Sequence, residues 1–260
     1  MQLRELHPWD VPPAEAVAIQ RRLRDQLSLQ DEVDLDRIGL VAGVDNAYRR
    51  EGDETIAVAA VVVLTFPALE TVETCFGEEP VTFPYVPGLL SFREAPAILA
   101  ALRQVERVPD VFLFDAQGRA HPRRLGAAAH LGLFVDRPSI GCAKSRLIGR
   151  FEEPGPNLGD WSELTDRGET IGAVVRTRPG AAPLVVSPGH RISFETAVRV
   201  VLACRRGASR LPVPAQLAHN LATARAHPEA GRGSAGGPGV SASAGPSQPR
   251  RATGGSPSAA

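Results

Sequence analysis

The sequence has few of the residues that would mark a secreted, membrane or zinc-thiolate protein. Only three of its 260 residues are cysteines, Cys75, Cys142 and Cys204, and they lie far apart. That number and spacing favour free thiols in a reducing compartment over a disulfide framework or a zinc site. The N-terminus lacks the apolar run of a signal peptide, and no stretch approaches the roughly 20 apolar residues of a membrane span. We therefore expect a cytoplasmic protein with no membrane partner.

Net charge and lysine are also scarce. The chain has 29 basic and 29 acidic residues, so contact with an anionic partner must come from a local cluster. Lys144 is the only lysine, and the other 28 basic residues are arginines. A compact ammonium can approach a phosphate or a metal-bound oxygen where a planar guanidinium does not fit. Chance survival of one lysine on the surface is the alternative explanation.

The apolar residues, 43% of the chain, are numerous enough for one sizeable core. Strand-like runs occur at 38–45, 56–66, 69–76, 111–114, 139–143, 171–177 and 184–187. Helical patterns occur at 12–29, 92–105, 122–134 and 194–205, with Ser91 as a cap, and 151–168 is loop-like. This order predicts an α/β fold, a mixed β-sheet flanked by helices. We assign residues 1–225 to this domain and expect 226–260, rich in glycine, serine, proline and alanine, to be a disordered tail.

Two of the predicted strands end in an aspartate. The apolar run at 111–114 is followed at once by Asp115, and the strand at 38–45 ends in Asp45. An aspartate at the end of a buried strand is held rigidly while its carboxylate faces a cleft, as a metal-dependent active site requires. Capping of the next helix explains Asp115 equally well. Glu94 lies in the first turn of a predicted helix, a position that glutamates favour because of the helix dipole.

Two further segments suggest contact with a ligand. Prolines on both sides of Tyr85 make a stiff loop that presents an aromatic ring, unless the ring packs beneath the loop. Arg123 and Arg124 fall near the N-terminus of the predicted helix at 122–134. Basic residues there oppose the helix dipole, which favours an anionic partner at this position.

Several blocks of this sequence together resemble endonuclease V, a family of nucleases that act on deaminated bases. The blocks are VAGVD at 41–45, PYVPGLLSFRE at 84–94, Asp115 followed by HPRRLG at 121–126 and HLG at 130–132, IGCAK at 140–144 and GHR at 189–191. They come in family order, and the block at 84–94 is highly specific. One departure is Ala116, where the family often has glycine directly after the central aspartate.

The resemblance implies an RNase H-like fold and hydrolysis of the second phosphodiester bond 3′ to deoxyinosine. It implies Mg²⁺ as the cofactor, with Mn²⁺ able to substitute, held by Asp45, Asp115 and Glu94. Lys144 and His190 are then expected to support catalysis. Tyr85 is expected to be the wedge that fills the gap left by a displaced base, with backbone amides near Gly88 and Gly126 reading the base edge. The implied DNA contacts are Pro84, Tyr85, Gly88, Arg123, Arg124 and Gly126.

The implied partner is DNA that contains deaminated bases, bound by a monomer. Two alternatives remain open. One is an inosine-specific endoribonuclease of the same fold, because sequence does not reveal the 2′-hydroxyl contacts that separate RNA from DNA. The other is a catalytically silent nucleic-acid-binding protein, against which the presence of all three carboxylates, Lys144 and His190 argues.

Overall fold

The computed structural model describes residues 1–228 and contains eight strands in one mixed sheet. The predicted tail lies, from residue 229 onward, outside the described residues. The strands in chain order are β1 (Leu40–Glu51), β2 (Glu54–Thr65), β3 (Thr71–Pro80), β4 (Val111–Phe114), β5 (Ser139–Ala143), β6 (Trp161–Asp166), β7 (Glu169–Val175) and β8 (Leu184–His190). Across the sheet their order is β3-β2-β1-β4-β5-β8-β7-β6.

The centre of the sheet is parallel and both flanks are antiparallel. β4 pairs in parallel with β1 on one side and with β5 on the other. In these ladders Phe114 lies opposite Val44 of β1 and opposite Gly141 of β5. β4 and β5 therefore end at the same edge of the sheet, beside the middle of β1, which continues to Glu51, and the residues that follow β4 and β5 meet there.

Helices cover both faces of the sheet. Within residues 1–228 they are α1 (Pro13–Leu23), α2 (Leu90–Gln104), α3 (Ala127–Val135), α4 (Phe194–Ala203) and α5 (Val213–Ala226). Phe112 of β4 lies in one apolar cluster with Leu102 of α2 and Leu131 of α3. The next residue, Leu113, points to the other face and lies in a cluster with Val200 of α4. Burial on both faces explains why the central strands are continuous apolar runs.

The predicted α/β class, a mixed sheet flanked by helices, is confirmed. Most predicted elements also exist, with shifted ends: the strand predicted at 38–45 continues to Glu51, and the helix predicted at 12–29 ends at Leu23 before a short 3₁₀ turn. No helix within the described residues is both long and apolar enough to cross a membrane.

Three local predictions are wrong. The helix predicted at 122–134 begins only at Ala127, because Arg124 adopts a left-handed backbone conformation (φ 61°) that a helix cannot contain. The segment 151–168, expected to be a loop, includes strand β6 at the sheet edge, where a half-exposed strand carries few apolar residues. Ser91 is not a cap: it lies inside α2, which begins at Leu90, and its hydroxyl bonds to His130.

Helix α5 was not anticipated at all. Its apolar residues are mostly alanines, so the segment lacks the contrast between an apolar and a polar face that marks an amphipathic helix. α5 packs on β1 and β2, and a Cβ atom on Gly43 of β1 would collide with the Pro214 carbonyl. The backbone of this helix therefore approaches the sheet closely, and Val213, Leu217 and Leu221 also pack against the core.

Candidate active site

Asp45 and Asp115 lie side by side because β1 and β4 are parallel neighbours. Asp45 follows Val44 in β1, and Asp115 follows Phe114, the residue opposite Val44. The Asp115 N–H donates to the Val44 carbonyl over 3.1 Å, which fixes the chain at the end of β4. Both carboxylates are largely buried. Burial and the neighbouring charge of Asp115 raise the pKa of Asp45, since each disfavours its ionised form.

Lys144 reaches the same edge from the end of β5. Its Nζ lies 2.5 Å from Asp115 Oδ2, and the side chain stays 37% exposed. The ammonium is thus anchored on one carboxylate while it remains open to a ligand from solvent. Lys144 is the only lysine in the chain, and its position is consistent with one where the broader guanidinium of an arginine would not fit.

His219 completes this group, and sequence reasoning missed it. Its Nδ1 lies 2.7 Å from Asp45 Oδ2 and 3.9 Å from Asp115 Oδ2. One ligand atom from each of Asp45, Asp115 and His219 lies within 4.8 Å of the other two, close enough for all three to hold one metal ion. The available signal was the pair Pro212 and Pro214, since proline is favoured in the first turn of a helix.

Glu94 lies beside this group but is not one of its three members. The Tyr48 hydroxyl donates to Glu94 Oε1 over 3.0 Å. Loss of hydration raises the pKa of Glu94 to about 8, and the charges of Asp45 and Asp115 act in the same direction. The hydrogen bond from Tyr48 opposes this shift. In the absence of a cation, therefore, Glu94 is mostly protonated at neutral pH.

His190 is not brought to this edge of the sheet. It ends β8, which is antiparallel to β5, and it pairs with Ser139, the first residue of β5, whereas Lys144 follows the last. Its buried ring accepts a hydrogen bond at Nδ1 from the Ser28 N–H over 3.2 Å. Burial lowers the pKa of His190. The assignment of His190 to catalysis is therefore corrected, because the strand direction places it at the opposite edge.

A pocket of about 360 Å³ opens beside Asp115 and Lys144. Tyr85 is 75% exposed at this pocket, so its ring does not pack beneath the loop, and Pro84 beside it is also exposed. The apolar part of the wall includes Val86, Leu90, Ala127 and Leu147. The pocket therefore combines an apolar wall, an exposed aromatic ring and the charged group at the strand ends.

Part of the polar wall of the pocket is backbone. Residues 86–89 form a turn closed by the Leu89 N–H and the Val86 carbonyl at 2.9 Å, and Gly88 adopts φ 81° at its third position, as in a type II turn. α2 begins just after this turn, and α3 begins just after Gly126. The first N–H groups of a helix have no acceptor within the helix. Two helix N-termini thus offer donors to a ligand in the pocket.

The two arginines expected to contact phosphate are engaged within the protein. Arg124 is paired with Asp166 at 2.9 Å and with Glu169 at 2.7 Å. Arg123 donates from Nε to Gln20 Oε1 over 2.5 Å and from Nη2 to the Gly88 carbonyl over 2.6 Å. The ground for predicting them as phosphate contacts, a place at a helix N-terminus, is wrong, because both residues belong to the loop before α3, which begins at Ala127.

Comparisons with known proteins agree on one family. The endonuclease V family model matches residues 21–220. An endonuclease V from Trichormus variabilis is 50% identical over 225 residues, 86% of this chain and 100% of the relative. The crystal structure of endonuclease V from Bacillus subtilis superposes with a TM-score of 0.84 at 30% identity, covering 86% of this chain and 97% of that one. The crystal structure of Ciona intestinalis endonuclease V in complex with a 24mer DNA containing an inosine followed by a ribo-adenosine superposes with a TM-score of 0.71 at 29% identity. The match covers 82% of this chain and 96% of that one.

Proposed function

Because the chain belongs to the endonuclease V family, we propose that it is a metal-dependent DNA repair endonuclease. It would hydrolyse the second phosphodiester bond 3′ to deoxyinosine and to other deaminated bases, leaving a nick. The observation that carries this proposal is the convergence of Asp45, Asp115 and His219 beside a base-sized pocket. The Ciona relative in complex with inosine-containing DNA supports the substrate class.

The donor set fits a hard divalent cation. Carboxylate oxygens are the ligands that Mg²⁺ prefers, and an imidazole nitrogen also suits Mn²⁺. Asp45, Asp115 and His219 would hold the cation, and Glu94 would join them from α2 once its proton is lost. When bound, the cation would offset the charge of the phosphodiester and acidify the attacking water. All these groups come from one chain, so we propose that the monomer is active.

Lys144 would stabilise the charge that develops during hydrolysis. The reaction bonds a water oxygen to phosphorus and breaks one ester P–O bond, so negative charge grows on the phosphate oxygens and on the leaving oxygen. The Lys144 ammonium, held 2.5 Å from Asp115, is positioned to face a phosphate oxygen of a strand bound beside this group. A fixed positive charge there favours the transition state more than the substrate.

The pocket would receive the displaced base. Unstacking a base costs a few kcal/mol, and stacking on an aromatic ring recovers about 1–3 kcal/mol, so Tyr85 would occupy the gap. The N–H donors at the starts of α2 and α3 suit hypoxanthine, whose O6 and N7 are acceptors. Adenine presents an N6 amino donor in place of O6. With adenine bound, its N6 amino group would face these backbone N–H groups, and both donors would be buried without an acceptor. This cost selects against adenine.

Cleavage of RNA is a second candidate, because the DNA bound by the Ciona relative carries a ribo-adenosine after the inosine.

The three buried thiols of Cys75, Cys142 and Cys204 are free, as a reducing compartment favours, and we propose that the protein acts in the cytoplasm.

A nicking assay on matched strands tests the proposal. The substrates are DNA and RNA strands that differ only in inosine or adenine at one position, with and without Mg²⁺, and the nick is mapped to the nucleotide. We expect a single Mg²⁺-dependent nick at the second bond 3′ to deoxyinosine. Equal cleavage of both DNA strands would refute base recognition. Binding without any nick would favour the silent nucleic-acid binder, and faster cleavage of RNA would favour the endoribonuclease.

A further inference from the structure

Gln20 is buried where three segments meet at the wall of the base pocket. It lies on α1 and is only 1% exposed. Its Nε2 donates to the carbonyls of Gly88, over 3.1 Å, and Leu125, over 3.2 Å. Its Oε1 accepts from Arg123 Nε. One side-chain amide therefore links α1 to the turn at 86–89 and to the segment before α3.

The Gly88 carbonyl is the point where these bonds converge. Besides Gln20, it accepts from His121 Nε2 over 3.0 Å and from Arg123 Nη2 over 2.6 Å. His121 Nδ1 accepts from the Arg123 N–H over 3.2 Å, so Nε2 carries the proton that is donated to Gly88. The two polar walls of the pocket are thus fastened to each other through one carbonyl oxygen and one buried glutamine.

We propose that Gln20 is a positioning residue that sets the spacing between the two pocket walls and thereby the preference for a deaminated base. The inference rests on the proposed function of the pocket. A hydrogen bond weakens steeply once its geometry departs from about 3 Å, so backbone donors on two walls read a base edge only if the walls keep their spacing. Gln20 is the side chain that bonds to both walls at once.

Replacing the amide would remove its bonds to both walls and leave the His121 and Arg123 bonds to the Gly88 carbonyl as the remaining polar links between the walls, without touching the cation group. Gln20 contacts neither Asp45 nor Asp115, so loss of its hydrogen bonds has no direct route to the metal ligands. Removing the donor leaves the buried Leu125 carbonyl short of a partner, and such groups are costly when unpaired. The walls are then expected to move apart. A purely structural role would lower stability but leave base discrimination unchanged, and this difference makes the two roles separable.

The experiment compares Gln20→Met, which keeps the length of the side chain, with Gln26→Met, at an exposed position just after α1. The readouts are the ratio of the dissociation constants for adenine and inosine duplexes, the nicking rate at saturating protein and the half-saturating Mg²⁺ concentration. We expect Gln20→Met to lower the ratio about tenfold, the effect of losing one to two buried hydrogen bonds. The half-saturating Mg²⁺ concentration of Gln20→Met should stay within about twofold of the wild-type value. All readouts of Gln26→Met should do the same. An unchanged ratio in folded Gln20→Met overturns the inference.

If Gln20→Met does not fold, Gln20→Glu takes its place, since it keeps the acceptor for Arg123 and loses both donated bonds. Hydrogen exchange on the free variant keeps this test separate from the proposed function. Peptides covering 84–90 and 118–126 should exchange faster in the Gln20 variant than in the wild-type protein, and the peptide with Asp45 should not. A wild-type protein without any inosine preference would refute the proposed function but not the positioning role. Unchanged hydrogen exchange in both wall segments would refute the positioning role of Gln20.

Discussion

His219 Nδ1 lies 2.7 Å from Asp45 Oδ2, although 174 positions separate the two residues in the chain. The contact forms because α5 packs on β1, where Gly43 leaves room for the Pro214 carbonyl. The glycine of the VAGVD block thus has a structural purpose two residues before the functional aspartate. It lets a helix approach the sheet closely enough to bring its histidine to Asp45 and Asp115.

Removal of either strand-end carboxylate should abolish cleavage. We expect Asp45→Ala and Asp115→Ala to slow single-turnover nicking of a deoxyinosine duplex by at least about 10³-fold, because a metal ion contributes several kcal/mol of transition-state stabilisation. Lesion binding in a gel-shift assay should persist, since Tyr85, the apolar wall and the backbone donors of the pocket are left in place. Full activity in either variant would remove the metal-site assignment.

Tyr85→Ala should weaken recognition more than chemistry. Base–aromatic stacking is worth about 1–3 kcal/mol, so the affinity for an inosine duplex should fall by about 5- to 150-fold, while the half-saturating Mg²⁺ concentration is unchanged. Tyr85→Phe is the matched control, because it keeps the ring and should behave like the wild-type protein. If Tyr85→Ala preserved the preference for inosine over adenine, the wedge role would be excluded.

Cation binding should strengthen as pH rises towards 8. The pKa of Glu94 is raised to about 8, so below that pH a cation that uses Glu94 must displace its proton. The half-saturating Mg²⁺ concentration should therefore fall by up to about tenfold per pH unit between about pH 6.5 and 8 and level off above. Glu94→Gln should weaken cation binding and remove this part of the slope. A pH-independent Mg²⁺ requirement would show that Glu94 does not join the cation.

The pocket histidine His121 should make the fold sensitive to acid. Burial lowers the pKa of His121 to about 4 from 6.5, so the unfolded chain takes up this proton first as pH falls. The free energy of unfolding should thus decline between about pH 6.5 and 4, by on the order of 3 kcal/mol from this residue at about 1.4 kcal/mol per pKa unit. Denaturant titrations of His121→Gln should show a shallower decline, whereas the exposed His227→Gln should match the wild-type protein.

Much of this site can be predicted from local sequence because its carboxylates follow short apolar strands. The run at 111–114 is typical of a short buried strand, and the parallel pairing seen in the structure brings Asp115 next to Asp45. The presented ring of Tyr85 could likewise be predicted, since Pro84 and Pro87 stiffen the loop. These inferences need only periodicity and the stiffness of proline.

The histidine that lies beside Asp45 and Asp115 could not be identified from the sequence. His190 lies in a recognisable block, but whether it reaches the active edge depends on the direction of β8, and antiparallel pairing with β5 sends it away. His219 lies on α5, whose alanine-rich sequence carries little helical periodicity. The environments of Arg123 and Arg124 depend on distant partners, Gln20, Asp166 and Glu169, which local patterns do not reveal.

The position of the catalytic centre is tested most directly by comparing two histidine substitutions, His219→Ala and His190→Ala. Both variants are assayed by single-turnover nicking of a deoxyinosine duplex over a range of Mg²⁺ concentrations. We expect His219→Ala to lose at least about 10²-fold in nicking rate and to need more Mg²⁺, whereas folded His190→Ala should stay within about threefold of the wild-type protein. The reverse result, with an active His219→Ala and an inactive but folded His190→Ala, would contradict the placement of the catalytic centre beside Asp45 at the ends of β4 and β5.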